Sequence, residues 1–88
     1  MLTEVKKDAQ LRLKRIAGQV SGLQRMVDEE KYCTDILVQI AAVRAALDKV
    51  GLTILKGHLE THVSEAIERG KGQELIEELD QTLSRYLK

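Results

Sequence analysis

The chain has 88 residues, a formal net charge of +0, no Trp or Phe and two Tyr. Its length allows one domain, residues 1–88, and the lack of large aromatic side chains limits the core that one copy can build. A chain of this size buries only about 60% of its unfolded surface when it folds alone, so we expect copies to associate. One cysteine excludes an intramolecular disulfide, and no apolar run resembles a signal core or could span a bilayer. We therefore expect a cytoplasmic protein without membrane contact.

The charges are distributed unevenly along the chain. Residues 1–25 carry six Lys or Arg and two acidic residues, whereas residues 60–88 carry seven acidic and four basic residues. Such asymmetry indicates a surface that faces a polyanion. Ordinary solvated helix faces explain the same asymmetry equally well.

Apolar residues recur at spacings of three and four in three stretches, the pattern of amphipathic helices. The stretches are Leu13, Ile16, Val20, Leu23 and Val27; then Ile36, Ile40, Val43, Leu47, Val50 and Ile54; then Leu75 or Ile76, Leu79, Leu83 and Tyr86 or Leu87. The pattern loses phase in the polar segment 29–35, and Gly70 and Gly72 separate the second stretch from the third. Strand-like alternation is absent, so the sequence predicts an all-α fold of three helices with a long second helix.

Four glycines fall inside these predicted helices, namely Gly18, Gly22, Gly51 and Gly57. Each costs roughly 1 kcal/mol relative to Ala in a helix. Close approach of another helix would explain them, and so would simple tolerance of that cost.

The candidate metal ligands are Cys33, His58 and His62. The two histidines are four residues apart, share one helix face with Val50 and Ile54, and can converge on one ion. If Cys33 and His58 lie on the same helix, about 37 Å separates them and they cannot share an ion within one chain.

A second copy of the long helix, running antiparallel, would bring the thiol to the histidine pair. The two-fold axis would then pass near Ala46 and Leu47, within the small-residue segment 41–47. Small side chains allow two helices to cross closely, although Ala is also the best helix former. Symmetry would give two identical sites per dimer, each built from both chains.

A thiolate with two imidazoles suits Cu(I) and, with added ligands, Zn(II) or Ni(II). Cys33 would lie near a helix start, where the helix dipole favours an anionic ligand. Three ligands and an open position also describe a catalytic zinc, but no carboxylate is spaced as its general base, and we expect no enzyme. Taken singly, a lone Cys is more often a small buried residue and a helical His pair is more often structural. A structural helical dimer without a metal role therefore remains an alternative.

Four segments, in order and spacing, carry a family resemblance. They are residues 12–27 (RLKRIAGQVSGLQRMV), Tyr32-Cys33, residues 39–47 (QIAAVRAAL) and residues 58–62 (HLETH). Together they resemble the CsoR/RcnR family of metal-sensitive repressors, from about residue 10 to residue 80. The resemblance implies a three-helix protomer, a two-fold antiparallel dimer built on the first two helices, and a dimer of dimers on operator DNA.

The same resemblance implies which residues contact DNA. The family uses basic residues of its first helix and one of its second, and these positions hold Arg12, Lys14, Arg15 and Lys49 here. Lys and Arg side chains that neutralise phosphates release counterions, which supplies most non-specific affinity.

The copper-sensing members bind the metal through a Cys, a His and a second Cys four residues later. This chain resembles them at Cys33 and His58 but has His62 at the last position. Tyr32 and Glu78 match the residues that hydrogen-bond to the ligands in those members. A Cys-His-His set also resembles the nickel and cobalt branch, whose additional N-terminal His is missing here. The resemblance thus implies a repressor that leaves operator DNA when Cu(I) binds, with Ni(II), Co(II) or Zn(II) as alternative effectors.

Overall fold

The computed structural model describes residues 1–87 and contains three helices. These are α1 (Thr3–Asp28), α2 (Cys33–Glu68) and α3 (Gly72–Tyr86). The predicted all-α fold with a long second helix is confirmed, while Lys88, the last residue of the predicted domain, lies outside the described part. None of the three helices combines the length and apolarity needed to cross a membrane.

Helices α1 and α2 both end in a turn in which the residue after the C-cap has a positive φ. Glu30 has φ 53° and Gly70 has φ 67°. The amide of Lys31 donates to the carbonyl of Met26 at 2.9 Å, and that of Lys71 donates to Ala66 at 2.7 Å. This pattern is the Schellman motif, which satisfies the last carbonyls of a helix. The first turn lacks the glycine that usually marks such an end, which explains why the sequence showed the α1–α2 break only weakly.

Helices α1 and α2 form an antiparallel hairpin around a small core. Its buried side chains are Ala9, Ile16, Val43 and Val50, and Leu23, Ala46 and Ile54 pack against them. All of these residues except Ala9 and Ala46 belong to the predicted apolar stripes. The hairpin therefore fixes which face of α2 is directed toward α1.

Two of the four glycines that the sequence places inside helices mark close contacts. A Cβ added at Gly57 would lie 2.8 Å from a methyl carbon of Val5 on α1, and one at Gly51 would lie 2.5 Å from the hydroxyl of Tyr86 on α3. Gly18 has nothing within 4 Å, and Gly22 has only the end of Arg25 at 3.8 Å. Close approach thus accounts for the two glycines on α2 and does not account for the two on α1 within one protomer.

The protomer is too extended to bury its apolar stripes. Its radius of gyration is 17.5 Å and its extents are 57 × 28 × 13 Å, whereas a compact domain of this length has a radius of about 12 Å. Its accessible surface is 7166 Å², compared with about 5,200 Å² for a typical folded monomer of this mass. Leu13, Val20 and Leu47 stay 44%, 42% and 45% exposed. This uncovered apolar surface fits the expectation that copies associate.

Candidate metal centre

Cys33 is the first residue of α2, and its thiol is exposed. The residue before it, Tyr32, is the N-cap of the helix and is 72% exposed. A thiol at this position faces the partial positive charge of the helix start and is open to a partner. Within the protomer, neither side chain is near the histidines, because these lie toward the other end of α2.

His58 and His62 lie on one face of α2, one turn apart. Their ring centroids are 4.3 Å apart and the ring planes are tilted by 37°. The side chains are 34% and 46% exposed, so each ring keeps an accessible edge. The structure therefore brings these two predicted ligands together in an arrangement that can bind one ion.

A carboxylate faces each imidazole. Nε2 of His58 lies 3.9 Å from Oε1 of Glu78 on α3, and Nδ1 of His62 lies 3.7 Å from Oε2 of Glu65. Both distances are too long for a direct hydrogen bond. Each carboxylate nevertheless lies beside one ring nitrogen, and a hydrogen bond formed there would keep the proton on that nitrogen. Sequence reasoning identified Glu78 and missed Glu65. The i, i+3 spacing between His62 and Glu65 is the signal that could have found it.

Cys33 and His58 belong to one unbroken helix of 36 residues. At about 1.5 Å per residue the two side chains are about 37 Å apart. Within residues 1–87 of one protomer, no three His, Cys, Asp or Glu side chains are grouped to hold a metal ion. The structure thus places His58 beside His62 and beside Glu78 without completing a three-ligand site, and it leaves Cys33 and Tyr32 at the far end of α2.

The histidines separate two clefts between α2 and α3. The larger, of about 590 Å³, has an apolar lining that includes Ile54, Leu55, Leu79 and Leu83, with His58, His62 and Glu78 at its polar part. The smaller, of about 280 Å³, is more polar and includes Glu65, Arg69, Lys71 and Glu74 together with the histidines and Glu78. The position of α3 therefore controls the surroundings of both imidazoles.

Three of the four predicted DNA-contacting residues lie on α1, and the fourth, Lys49, lies on α2. Nε of Arg12 is paired with Oδ2 of Asp8 at 3.0 Å, whereas Lys14, Arg15 and Lys49 are exposed. At 100° per residue, the three α1 side chains span about 160° of the helix circumference. They form a broad surface and not a narrow stripe.

Two further basic residues extend this surface, and sequence reasoning did not select them. Lys7 and Arg25 are exposed and stand seven positions before and eleven positions after Lys14. Those spacings place all three within about 20° of one another on α1, on the side opposite the buried Ile16. The heptad-like spacing was the signal available in the sequence.

Comparison with protein families gives a match over most of the chain. The sequence model of a family described as "Metal-sensitive transcriptional repressor" matches residues 5–85. The copper-sensing transcriptional repressor CsoR of Bacillus subtilis is 48% identical over 77 residues, which cover 88% of this chain and 76% of that protein. The copper-sensing repressor CsoR of Mycobacterium tuberculosis is 42% identical over 78 residues, and the chain spans 66% of its length.

Two solved structures of metal-responsive regulators are also similar to this chain. The copper-sensing repressor CsoR with Cu(I) from Geobacillus thermodenitrificans superposes with a TM-score of 0.90 at 42% identity, covering 100% of this chain and 92% of that chain. The nickel-responsive transcriptional regulator InrS superposes with a TM-score of 0.81 at 36% identity, covering 91% of this chain and 90% of that chain.

Proposed function

The chain belongs to the family of metal-sensitive transcriptional repressors, and on this premise we propose that it represses transcription by binding operator DNA when metal-free and is released by Cu(I). The observation that carries the proposal is the arrangement of α2, with a thiol at its start and two converging imidazoles near its other end. The relatives named for copper sensing support the choice of effector. The protein acts by binding and not by catalysis, and we place it in the cytoplasm.

The metal site is proposed to form between two subunits. Cys33 of one protomer meets His58 and His62 of an antiparallel partner, with the two-fold axis near Ala46. Support comes from the side chains at that midpoint, since Ala45 and Leu47 are exposed in the protomer and Ala46 is only half-buried. Small exposed apolar side chains let two helices cross closely and would be covered by the partner.

The donor set fits Cu(I). One thiolate and two imidazoles are soft or borderline ligands, and a bound metal ion at this set would supply a change in charge and ligand orientation. His58 presents Nε2 to Glu78, which leaves Nδ1 for the metal, and His62 presents Nδ1 to Glu65, which leaves Nε2. Neither contact is a hydrogen bond at 3.9 and 3.7 Å, but a small shift that closes it would fix the tautomer in which the metal-facing nitrogen is unprotonated.

The His58–Glu78 pair connects the proposed site to α3. An imidazole that donates its lone pair to a metal becomes a better N–H donor through its other nitrogen. The contact between Nε2 of His58 and Glu78 then strengthens and draws α3 toward α2, while Tyr32 of the partner subunit serves as a second hydrogen-bonding group at the site. Metal binding in this way favours an arrangement of the basic surface that binds DNA less well.

DNA binding is proposed to rely on phosphate contacts. Arg12, Lys14, Arg15 and Lys49 supply them, and Lys7 and Arg25 extend the surface along α1. A broad basic surface made of helix faces suits a homodimer that pairs with a second dimer on the duplex, and it favours affinity over base-specific reading.

A Ni(II)-responsive repressor is the second candidate. It is favoured by the similarity to the nickel-responsive regulator and by the two carboxylates within 4 Å of the histidines. Ni(II) and Zn(II) take more ligands than Cu(I) and accept oxygen donors.

A structural dimer without a metal role is the remaining alternative, and it predicts that no ion changes the stability of the protein. A bound ligand at one hundred times its dissociation constant instead raises the free energy of unfolding by about 2.7 kcal/mol.

The test is fluorescence anisotropy of labelled DNA from the promoter region of the protein's own gene. We expect the metal-free protein to bind, stoichiometric Cu(I) to release it, and a Cu(I) chelator in excess to restore the complex. The coupling is expected to weaken DNA binding by about 5- to 150-fold. A metal-free protein that ignores this DNA, or a complex that persists with Cu(I), contradicts the proposal. Release by Ni(II) but not by Cu(I) supports the second candidate.

A further inference from the structure

Helix α3 packs against α2 less extensively than α1 does. It has no fully buried side chain, and its contact with α2 is much smaller than that between α1 and α2. Its apolar residues Leu79 and Leu83 are only half-buried in the groove. An element that is held so lightly can change position without unfolding the hairpin, so its few specific contacts decide where it lies.

One of these contacts is made by Tyr86, the last residue of α3. Its hydroxyl donates to Asp48 on α2, lying 3.3 Å from the main-chain oxygen and 3.4 Å from Oδ1. Its ring lies directly against Gly51, where an added Cβ would be 2.5 Å from the hydroxyl oxygen and 2.9 Å from Cζ. Residue 51 must therefore lack a side chain for the tyrosine to reach Asp48. Partial desolvation, followed by the Asp48 carboxylate, raises the pKa of Tyr86 above its ordinary value.

The Tyr86–Asp48 contact lies at the C-terminal end of α3, whereas the His58–Glu78 pair lies near the middle of that helix. Glu78 and Tyr86 are about 12 Å apart along α3, at about 1.5 Å per residue. The helices run antiparallel, so one pair joins α3 to the candidate metal site and the other joins it to the residue before Lys49. Lys49 is a candidate DNA contact, so the contacts at the middle and at the C-terminal end of α3 connect this helix to both proposed sites.

We propose that Tyr86 is a positioning residue that couples the two sites: with Gly51 making room for its ring, it fastens the end of α3 to Asp48, so that a movement of α3 at Glu78 is transmitted to α2 beside Lys49. This inference rests on the proposed function, because it concerns how metal binding changes DNA affinity. Tyr86 belongs neither to the proposed metal ligands nor to the proposed DNA contacts. Its removal therefore changes the coupling between the two ligands and leaves each ligand's binding in isolation intact.

The test compares Tyr86→Phe with the wild-type protein. The substitution keeps the ring and removes the hydroxyl. Ser84→Ala is the matched control, since the Ser84 hydroxyl donates only within α3, to the carbonyl of Asp80 at 2.8 Å. DNA affinity is measured by anisotropy with and without Cu(I), and Cu(I) affinity by competition with a chelator in the absence of DNA. The ratio of the two DNA affinities is the coupling factor.

We expect Tyr86→Phe to lower the coupling factor about fivefold, the change that corresponds to one neutral hydrogen bond. The DNA affinity of the metal-free protein and the Cu(I) affinity of the DNA-free protein should both stay near wild type. A general loss of stability would instead lower both affinities. Gly51→Ala displaces the ring by another route and should lower the coupling in the same way, while Ser84→Ala keeps it. Wild-type coupling in both Tyr86→Phe and Gly51→Ala overturns this inference alone. A wild-type protein whose DNA binding ignores every metal overturns the proposed function and this inference with it.

Discussion

Nε2 of His58 on α2 lies 3.9 Å from Oε1 of Glu78 on α3, and this pair places a carboxylate of the lightly held helix beside the candidate metal site. The distance is too long for a direct hydrogen bond and short enough to become one through a small shift of α3. Glu78 can therefore respond to a change in the imidazole. Its role is testable separately from that of the ligands.

Replacing Glu78 by Gln should weaken metal binding and uncouple it from DNA. The neutral amide is a poorer acceptor for the His58 N–H, and loss of such a partner costs about 10- to 100-fold in metal affinity. Metal-free DNA binding should be unchanged. Glu77→Gln is the control, because it removes the same charge from the adjacent position, which does not line either histidine cleft. Chelator competition and anisotropy measure the two effects, and equal behaviour of the two variants would show that Glu78 has no special role.

Arg15→Ala should lower the salt dependence of DNA binding. Removing one phosphate-binding side chain reduces the slope of log affinity against log salt concentration by about 0.9. The reduction should be nearly the same for operator and unrelated DNA, because phosphate contacts carry no sequence information. Lys31→Ala is the control, since Lys31 lies in the α1–α2 turn and pairs with Glu29 at 3.5 Å. A slope that falls equally in both variants would place the DNA surface elsewhere.

Gly57→Ala should destabilise the protein. The new methyl group would lie 2.8 Å from one Val5 methyl carbon and 2.9 Å from the other, and Gly57 is buried. Overpacking of this kind costs about 1–3 kcal/mol, which exceeds the gain of about 1 kcal/mol in helix propensity. Gly18→Ala is the matched control, because nothing lies within 4 Å of its Cβ position. Urea unfolding should show a lower midpoint for Gly57→Ala only; an equal or higher midpoint would contradict the close α1–α2 contact.

Tyr86 should ionise at a higher pH in the folded protein than in the unfolded chain. Its pKa is raised above 10.0 by partial desolvation and by the Asp48 carboxylate. A raised folded-state pKa means that the Tyr86 contact contributes fully below about pH 10 and is lost as the pH rises through the folded value. Phenolate absorbance of a Tyr32→Phe protein reports Tyr86 alone, because the chain has two tyrosines. Coincident titrations in buffer and in urea would show that Tyr86 does not pack against α2.

The periodic features of this protein could be predicted from its sequence. Apolar spacing is a local property of a helix, so the stripes around Ile16 and Val43 located α1 and α2 correctly. The histidine pair followed from the same regularity. The end of α1 was harder to locate, because its turn is formed by Glu30 in a conformation that glycine usually adopts.

Contacts between helices far apart in sequence could not be predicted. No spacing rule links Gly51 to Tyr86 or Gly57 to Val5, since those contacts depend on how the helices cross. The sequence therefore left close approach and tolerance equally open for all four helical glycines. Cys33 is different, because the length of α2 alone separates it from the histidines and makes a second subunit necessary for the proposed site.

The most direct test of that central claim mixes two inactive variants. Cys33→Ala keeps both histidines, and the double variant His58→Ala/His62→Ala keeps the thiol. In a mixed antiparallel dimer, the thiol of the second variant faces the histidines of the first and rebuilds one complete site. We predict that neither variant alone binds Cu(I) tightly, and that unfolding and refolding them together restores one tight Cu(I) site per mixed dimer. A mixture that binds no more Cu(I) than the separate variants would contradict a site shared between subunits.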